Sequence, residues 1–202
     1  MKVTREQAAE NRERIIRTAA RLFREKGFDG IGVADLMKSA GLTHGGFYGH
    51  FASKADLAAK ACESALGRSV ERWTQRAAAA EVAGDDVLTV LVRSYVNEGH
   101  RDNPGAGCMF GALGPDAARQ ELSVKRAMSD GLRGLIGVLE QAMPGATEAE
   151  RHEAALAAMS QMTGAIMLSR IADDEAFSKE ILEATLADLT GRGGRQEPPS
   201  GD

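Results

Sequence analysis

Thr43-His44-Gly45-Gly46-Phe47-Tyr48-Gly49-His50-Phe51-Ala52-Ser53-Lys54 is the stretch whose reading decides the fold. It is too short and too polar for a core helix. It carries two His, one Tyr and one Lys, with Gly where bulk normally sits. Just upstream, Val33 to Ala40 reads as a short amphipathic helix, followed by Gly41-Leu42. A short helix, a Gly-containing turn and a second short helix is the helix-turn-helix pattern, whose second helix enters a DNA groove. That second helix is expected from about His44 to Phe51.

Working outward, Thr4-Arg-Glu-Gln7 has the form of a capping box for a first helix. Ile15, Ala19, Leu22 and Phe23 then recur at helical spacing. Lys26-Gly27 is a stop signal, since Gly tolerates the left-handed conformation after a helix, and Phe28 is placed to pack back on the last turn. Val33, Leu36, Met37, Ala40, Leu42, Phe47 and Phe51 complete a small three-helix core with the first helix. Ser53-Lys-Ala-Asp56 opens a fourth helix reaching about Ala79. A fifth runs from Val87 to near His100, and Asp102 to Gly107 breaks it. A short helix over Cys108–Leu113 is interrupted at Gly114-Pro115. Leu122 to Met143 forms a long helix, and Thr147-Glu-Ala-Glu150 caps the next, which reaches about Ile171. Asp173 or Asp174 starts the last helix.

The chain has 202 residues, 43% of them hydrophobic, which suffices for one or two cored domains. Abundant Ala, Leu, Glu and Arg without long Val/Ile/Thr alternation points to an all-α fold. The two Cys, Cys62 and Cys108, form no spacing motif, which fits a reducing, cytoplasmic setting. The polar N-terminus does not read as a signal peptide, and the longest uncharged run, Ala154 to Ser169, is too short and too polar for a membrane span. The net charge of −4 is unevenly spread. Residues 1–60 hold 11 Lys+Arg against 7 Asp+Glu, leaving 14 against 22 in the remainder. A basic N-terminal third fits DNA contact at one end of the chain.

The pattern Gly27-Phe28, Val33-x-x-Leu36, Ala40-Gly41-Leu42-Thr43, Phe47-Tyr48-x-His50-Phe51, Ser53-Lys54-x-x-Leu57 resembles the TetR family of transcriptional regulators. The match leaves the C-terminal two-thirds uncovered, although His100-Arg-Asp and Gly107-Cys108 followed by Ala112-Leu113 resemble one subgroup of that family. The resemblance implies nine or ten helices. Residues 9–69 would form the DNA-binding domain, with its motif at about 32–51. Residues 70–191 would bind ligand and dimerise, and 192–202 would be a disordered tail. Two positions depart from the pattern. Ile31-Gly32 replaces the hydroxylic residues common before helix 2, and Gly49 replaces a larger side chain.

By that resemblance, the DNA contacts fall on Thr43, His44, Gly45, Gly46, Tyr48, His50 and Lys54. The chemistry is consistent. A helix N-terminus presents unpaired N–H groups and partial positive charge to a phosphate. Thr43 would cap the helix, and His44 would project at its start. Gly45 and Gly46 would let the backbone approach the groove, while Tyr48 and Lys54 would hold phosphates. With so few large groove-facing side chains, readout is expected to lean on phosphates, thymine methyls and DNA shape. Tyr48 as core, His50 as a packing residue and Lys54 as an ordinary solvated cation are the competing readings.

An uncharged helix over Ala154–Ser169 has no solvent face, so a second copy is its simplest cover. A two-fold homodimer would present two reading helices about 34–36 Å apart to a pseudo-palindromic operator. Tyr95, His100, Cys108, Phe110, Met128 and Met162 are candidates to line a small-molecule effector site, with Met supplying adaptable packing. Core filling is the simpler reading for the apolar members. Cys108 is also a candidate redox sensor, against the plainer reading of a buried inert thiol. No cofactor or metal is expected, since Cys108 and His100 alone do not make a metal site. A helical adaptor would require large apolar anchors on the second short helix, which are missing. A Cys108-His100 enzyme would need an orienting group and an oxyanion motif, and neither is recognisable.

Overall fold

Two capping boxes punctuate the chain where the sequence places them, at Thr4 and Thr147. The computed structural model describes residues 4–192, so of the expected tail at 192–202 only Arg192, the last residue of α9, is described and the rest lies outside the described residues. Among the described residues there are nine α-helices, one 3-10 helix and no strand. In order they are α1 (Arg5–Lys26), α2 (Val33–Ser39), the 3-10 helix (His44–Gly49), α3 (Lys54–Ala83), α4 (Val87–Tyr95), α5 (Glu98–Asp102), α6 (Met109–Ala117), α7 (Leu122–Ala142), α8 (Glu148–Ile171) and α9 (Glu175–Arg192). No helix among the described residues is long and apolar enough to cross a membrane.

The helix starts satisfy amides that have no partner inside the helix. The Gln7 amide donates to Thr4 Oγ1, and the Thr4 amide to Gln7 Oε1, both at 3.1 Å. The Glu150 amide reaches Thr147 Oγ1 at 3.2 Å, while Glu150 Oε2 accepts from Thr147 at 3.1 Å. At α3 the Asp56 amide donates to Ser53 Oγ, but the Asp56 carboxylate accepts from Ala52 rather than from Ser53. Asp86 and Asp174 cap α4 and α9 through the Thr89 and Phe177 amides. Gly27 ends α1 at φ +80°, a conformation that costs glycine little.

Residues up to Ser69 and Asn103–Leu132 form one compact unit; Val70–Asp102 and the residues from Arg133 onward form another. In the first, α1 packs on α2 and α6, and α2 on the 3-10 helix. Ile15, Ala19, Phe23, Phe28, Leu36, Met37, Phe47 and Leu57 fill its core. Phe28 lies 5.2 Å from Phe23, as the stop signal implied. Val33 and Leu42 are half-buried, at the margin of the core they were expected to join. α7 approaches α3 so closely that a Cβ on Gly131 would fall 2.5 Å from Leu66 Cβ. In the second unit α9 packs on α8 and α4, and α5 on α8.

Four expectations are corrected. The second helix of the motif is a 3-10 helix ending at Gly49, not an α-helix to Phe51. Three glycines in six residues are poor helix formers, so the short element tightens rather than extends. The fourth predicted helix runs to Ala83, where Gly84 takes φ +75°. The fifth splits at Val96 into α4 and α5, with Asn97 Oδ1 accepting from the His100 amide to start a new turn. α6 continues through Pro115 to Ala117. A proline near the end of a nine-residue helix removes one amide donor and leaves the earlier turns intact.

Candidate nucleic-acid interface

The reading element is held by one side chain. Phe47 is fully buried, 5.7 Å from Phe51 by ring centroids. The three-residue repeat of a 3-10 helix lines up His44, Phe47 and His50 on one ridge. Gly45 and Tyr48 lie on a second, Gly46 and Gly49 on the third. Burying Phe47 turns Gly45 and Tyr48 outward, while Gly46 lies over buried Met37. Tyr48 is 71% exposed there, its ring edge-on to Phe47 at 5.2 Å. His44 is exposed at the start of the element, and His50 is half-buried at its end.

Thr43 occupies the N-cap position, but its side chain makes no cap hydrogen bond, which corrects its expected capping role. The Gly46 amide bonds instead to the Thr43 carbonyl at 3.1 Å. Gly32 likewise caps α2 with no side-chain bond. Lys54 is the first residue of α3 and half-buried. A cation at a helix N-terminus opposes the helix dipole, so Lys54 is not placed there to stabilise α3. It borders a cavity of about 190 Å³ together with Phe28, Asp29 and Glu121.

The glycines of the reading element have no internal reason to be glycine. A Cβ on Gly45 or Gly49 would meet nothing within 4 Å. On Gly46 it would make ordinary contact with Met37 Cε at 3.7 Å. None of the three has positive φ.

The six candidate effector residues divide between the two units. Cys108 and Phe110, on either side of the start of α6, and Met128 on α7 belong to the first unit. Cys108 and Phe110 are 8% and 9% exposed. Tyr95, His100 and Met162 belong to the second. Tyr95 is buried, edge-on to Trp73 and to His100, with its hydroxyl 3.3 Å from Thr163 Oγ1. His100 Nδ1 lies 2.7 Å from the Tyr95 carbonyl. A carbonyl only accepts, so Nδ1 carries the proton. Burial holds the His100 pKa below its ordinary value, and the nearby Arg170 charge acts the same way.

Three arginines stand out that periodicity alone does not distinguish. Arg12 lies 5.1 Å over the Phe51 ring, a cation–π contact bracing the end of the reading element. Arg24 reaches the Gly105 carbonyl and Met109 Sδ. Arg101, only 7% exposed, binds Asp102 at 2.6 Å, Ser178 at 2.8 Å and Glu175 at 3.1 Å. It borders a cavity of about 330 Å³ with Arg170 and Asp174. Apart from Arg101 with its neighbour Asp102, each pairing spans loops or distant helices, where spacing carries no signal.

Residues 15–61 match the family model described as bacterial regulatory proteins, tetR family. The chain is 26% identical over 139 residues to the HTH-type transcriptional repressor NemR of Escherichia coli, covering 69% of this chain and 70% of NemR. It is 41% identical over 63 residues to the uncharacterized HTH-type transcriptional regulator YerO of Bacillus subtilis, covering 31% of this chain and 22% of YerO. The crystal structure of reduced E. coli NemR superposes with TM-score 0.77 at 25% identity, over 90% of this chain and 96% of that one. A TetR regulator structure from Chloroflexus aurantiacus gives 0.73 at 21% identity, over 93% and 98%, and speaks to the fold alone.

Gly45→Ala and Gly49→Ala are each expected to raise thermal stability, by up to about 1 kcal/mol from helix propensity, and to weaken DNA binding by holding the backbone off the groove. Thermal melts and DNA titrations on the same samples check both. DNA affinity equal to the parent's in both variants would refute close docking.

Proposed function

We propose that the chain is a regulator of the TetR family, a sequence-specific, cytoplasmic DNA-binding repressor released from its operator by a small-molecule or redox effector. The observation that carries this reading is the geometry of the 3-10 helix. Burial of Phe47 forces Tyr48 and a side-chain-free glycine surface outward on the segment that matches the family model. Such a surface suits DNA, where phosphates give affinity and closeness of approach gives shape readout. The Thr43 hydroxyl, not engaged in capping, and His44 contact the backbone at the start of the element. Tyr48 and Lys54 hold phosphates, Gly45 and Gly46 set the approach distance, and His50 flanks the site.

Selection of bound sequences from random double-stranded DNA by the purified protein tests the reading and defines the operator. A pseudo-palindromic consensus is expected. On that DNA, Tyr48→Ala and Lys54→Ala each weaken binding, and Lys54→Ala lowers the slope of log affinity against log salt by about one. Affinity unchanged in both variants would remove the assigned contacts.

The protein acts as a homodimer through α8 and α9. Ala154–Ser169 carries no charge, and Leu156, Leu168 and Ile171 on α8 and Phe177 on α9 are 41%, 53%, 77% and 51% exposed. Exposed apolar groups of this size on neighbouring helices call for a cover. Leu168→Asp is expected to produce a monomer by sedimentation at micromolar concentration and to lose operator binding. A monomeric parent protein would overturn the assignment.

For the effector, the two thiols differ. Cys62 is fully buried, and burial pushes its pKa up to about 12 against the opposing Arg24 charge, so it holds its proton. Cys108, at the N-cap of α6, is the more exposed of the two, at 8%. Maleimide at neutral pH is expected to modify Cys108 and spare Cys62, read by peptide mass, with loss of operator affinity. An unmodified Cys108 would exclude the redox arm and leave a small-molecule effector.

A further inference from the structure

We propose that Arg24 is a positioning residue for operator binding, through which the conformation of the stretch from Asn103 to Met109 sets the head's affinity for DNA. The proposal rests on the repressor reading above. Arg24 lies on α1, beside Phe23, which is fully buried in the head core. Its side chain reaches a turn 81 residues away, where Nε and Nη2 donate to the Gly105 carbonyl at 2.9 and 2.5 Å. Nη1 reaches Met109 Sδ at 3.1 Å. The planar guanidinium thus spends three of its donors on a single turn and the first residue of α6, a geometry that a lysine cannot copy.

The surroundings make this contact sensitive to small movements. Gly105 is held in a turn closed by the Ala106 and Gly107 amides on the Asn103 carbonyl, at 3.2 and 3.0 Å. A Cβ on Gly105 would fall 2.4 Å from Glu25 Oε1, on the residue next to Arg24. At the end of the same helix, a Cβ on Gly27 would fall 2.8 Å from Asp116 Oδ2 of α6. α1 therefore meets the 105–116 stretch at both Glu25 and Gly27, with Arg24 bonded between them. Cys108 separates the two groups that Arg24 holds. A change that unwinds or shifts the start of α6 must move the Gly105 carbonyl relative to Met109 Sδ. The fork cannot follow both, and α1 with its buried Phe23 moves or loosens instead.

Linkage makes the proposal testable without knowing the effector. If the stretch sets DNA affinity, bound DNA must stabilise the stretch in return. The probe is the DNA recovered by the selection described above, and the readout is hydrogen exchange of amides 103–118 with and without it. The parent protein is expected to gain protection there on binding DNA. Arg24→Met is expected to lose that gain and to bind about tenfold more weakly, while Arg24→Lys recovers only part of each. Gly105→Ala disturbs the same contact from the other side, by displacing Glu25, and is expected to behave like Arg24→Met if the latter folds poorly. A role confined to stability would lower the melting temperature and leave DNA-dependent protection intact. Parent protein that binds the DNA without protection at 103–118, or with protection equal in Arg24→Met and Gly105→Ala, overturns this proposal alone. Recovery of no DNA by the parent overturns the repressor reading and this proposal with it.

Discussion

Burial of Phe47 is the interaction on which the head depends. It is fully buried, and it is the sole buried residue of the six in its element. A six-residue helix has no stability of its own, because nucleation is costly and few bonds are gained. Three glycines make it weaker still. Its position is therefore set by packing: Phe47 inward, Phe51 behind it, Arg12 over the Phe51 ring and Met37 beneath Gly46. The outward direction of Tyr48 follows from that one anchor and a three-residue repeat. An aromatic anchor is worth several kcal/mol when lost, more than any capping or ion-pair contact nearby. The element is fixed in place while its outer surface stays free to vary.

That separation explains what could be read from the sequence. The helix boundaries were legible wherever a local chemical signal marked them. Thr4-x-x-Gln7 and Thr147-x-x-Glu150 are capping boxes in sequence and in structure, and Gly27 stops α1 by adopting positive φ. Such signals act within four residues, so one chain is enough to see them. The core residues of the head were legible for a similar reason, since helical spacing fixes which side faces inward. The 3-10 character of the reading element was not. The same residues satisfy either repeat, and the glycine content alone does not say how far the turn tightens.

The pairings that tie distant segments were illegible. Arg24 is one of several arginines on α1, and nothing in its spacing singles out a carbonyl at Gly105. Arg101 and Arg170 carry the same lesson in the second unit. Arg170 donates to the His100 and Arg101 carbonyls at 2.7 and 2.9 Å, which closes the end of α5 against α8. These are side chain-to-backbone bonds across 69 and 70 residues. Carbonyl partners are chemically identical at every position, so sequence cannot rank them. Of the candidate effector residues, Tyr95, Cys108, Phe110, Met128 and Met162 are buried and His100 half-buried, and burial is common to core and pocket.

Magnitudes sharpen the case for a second copy. Leu156, Leu168, Ile171 and Phe177 are each about half exposed or more, apart from Leu156 at 41%. Covering the rest of one such side chain contributes on the order of 1 kcal/mol, and two-fold symmetry doubles the set. The sum, roughly 8 kcal/mol, lies inside the range of about 4–15 kcal/mol that association costs in lost freedom. These four residues alone would give a weak dimer. A tight one requires the small residues between them, such as Ser160 and Gly164, to let the helices approach closely enough for backbone and Ala side chains to contribute area. Those positions are uncharged, and a Cβ on Gly164 would meet nothing within 4 Å in the single chain. The opening lies on the uncharged Ala154–Ser169 stretch of α8, where a partner helix would fill it.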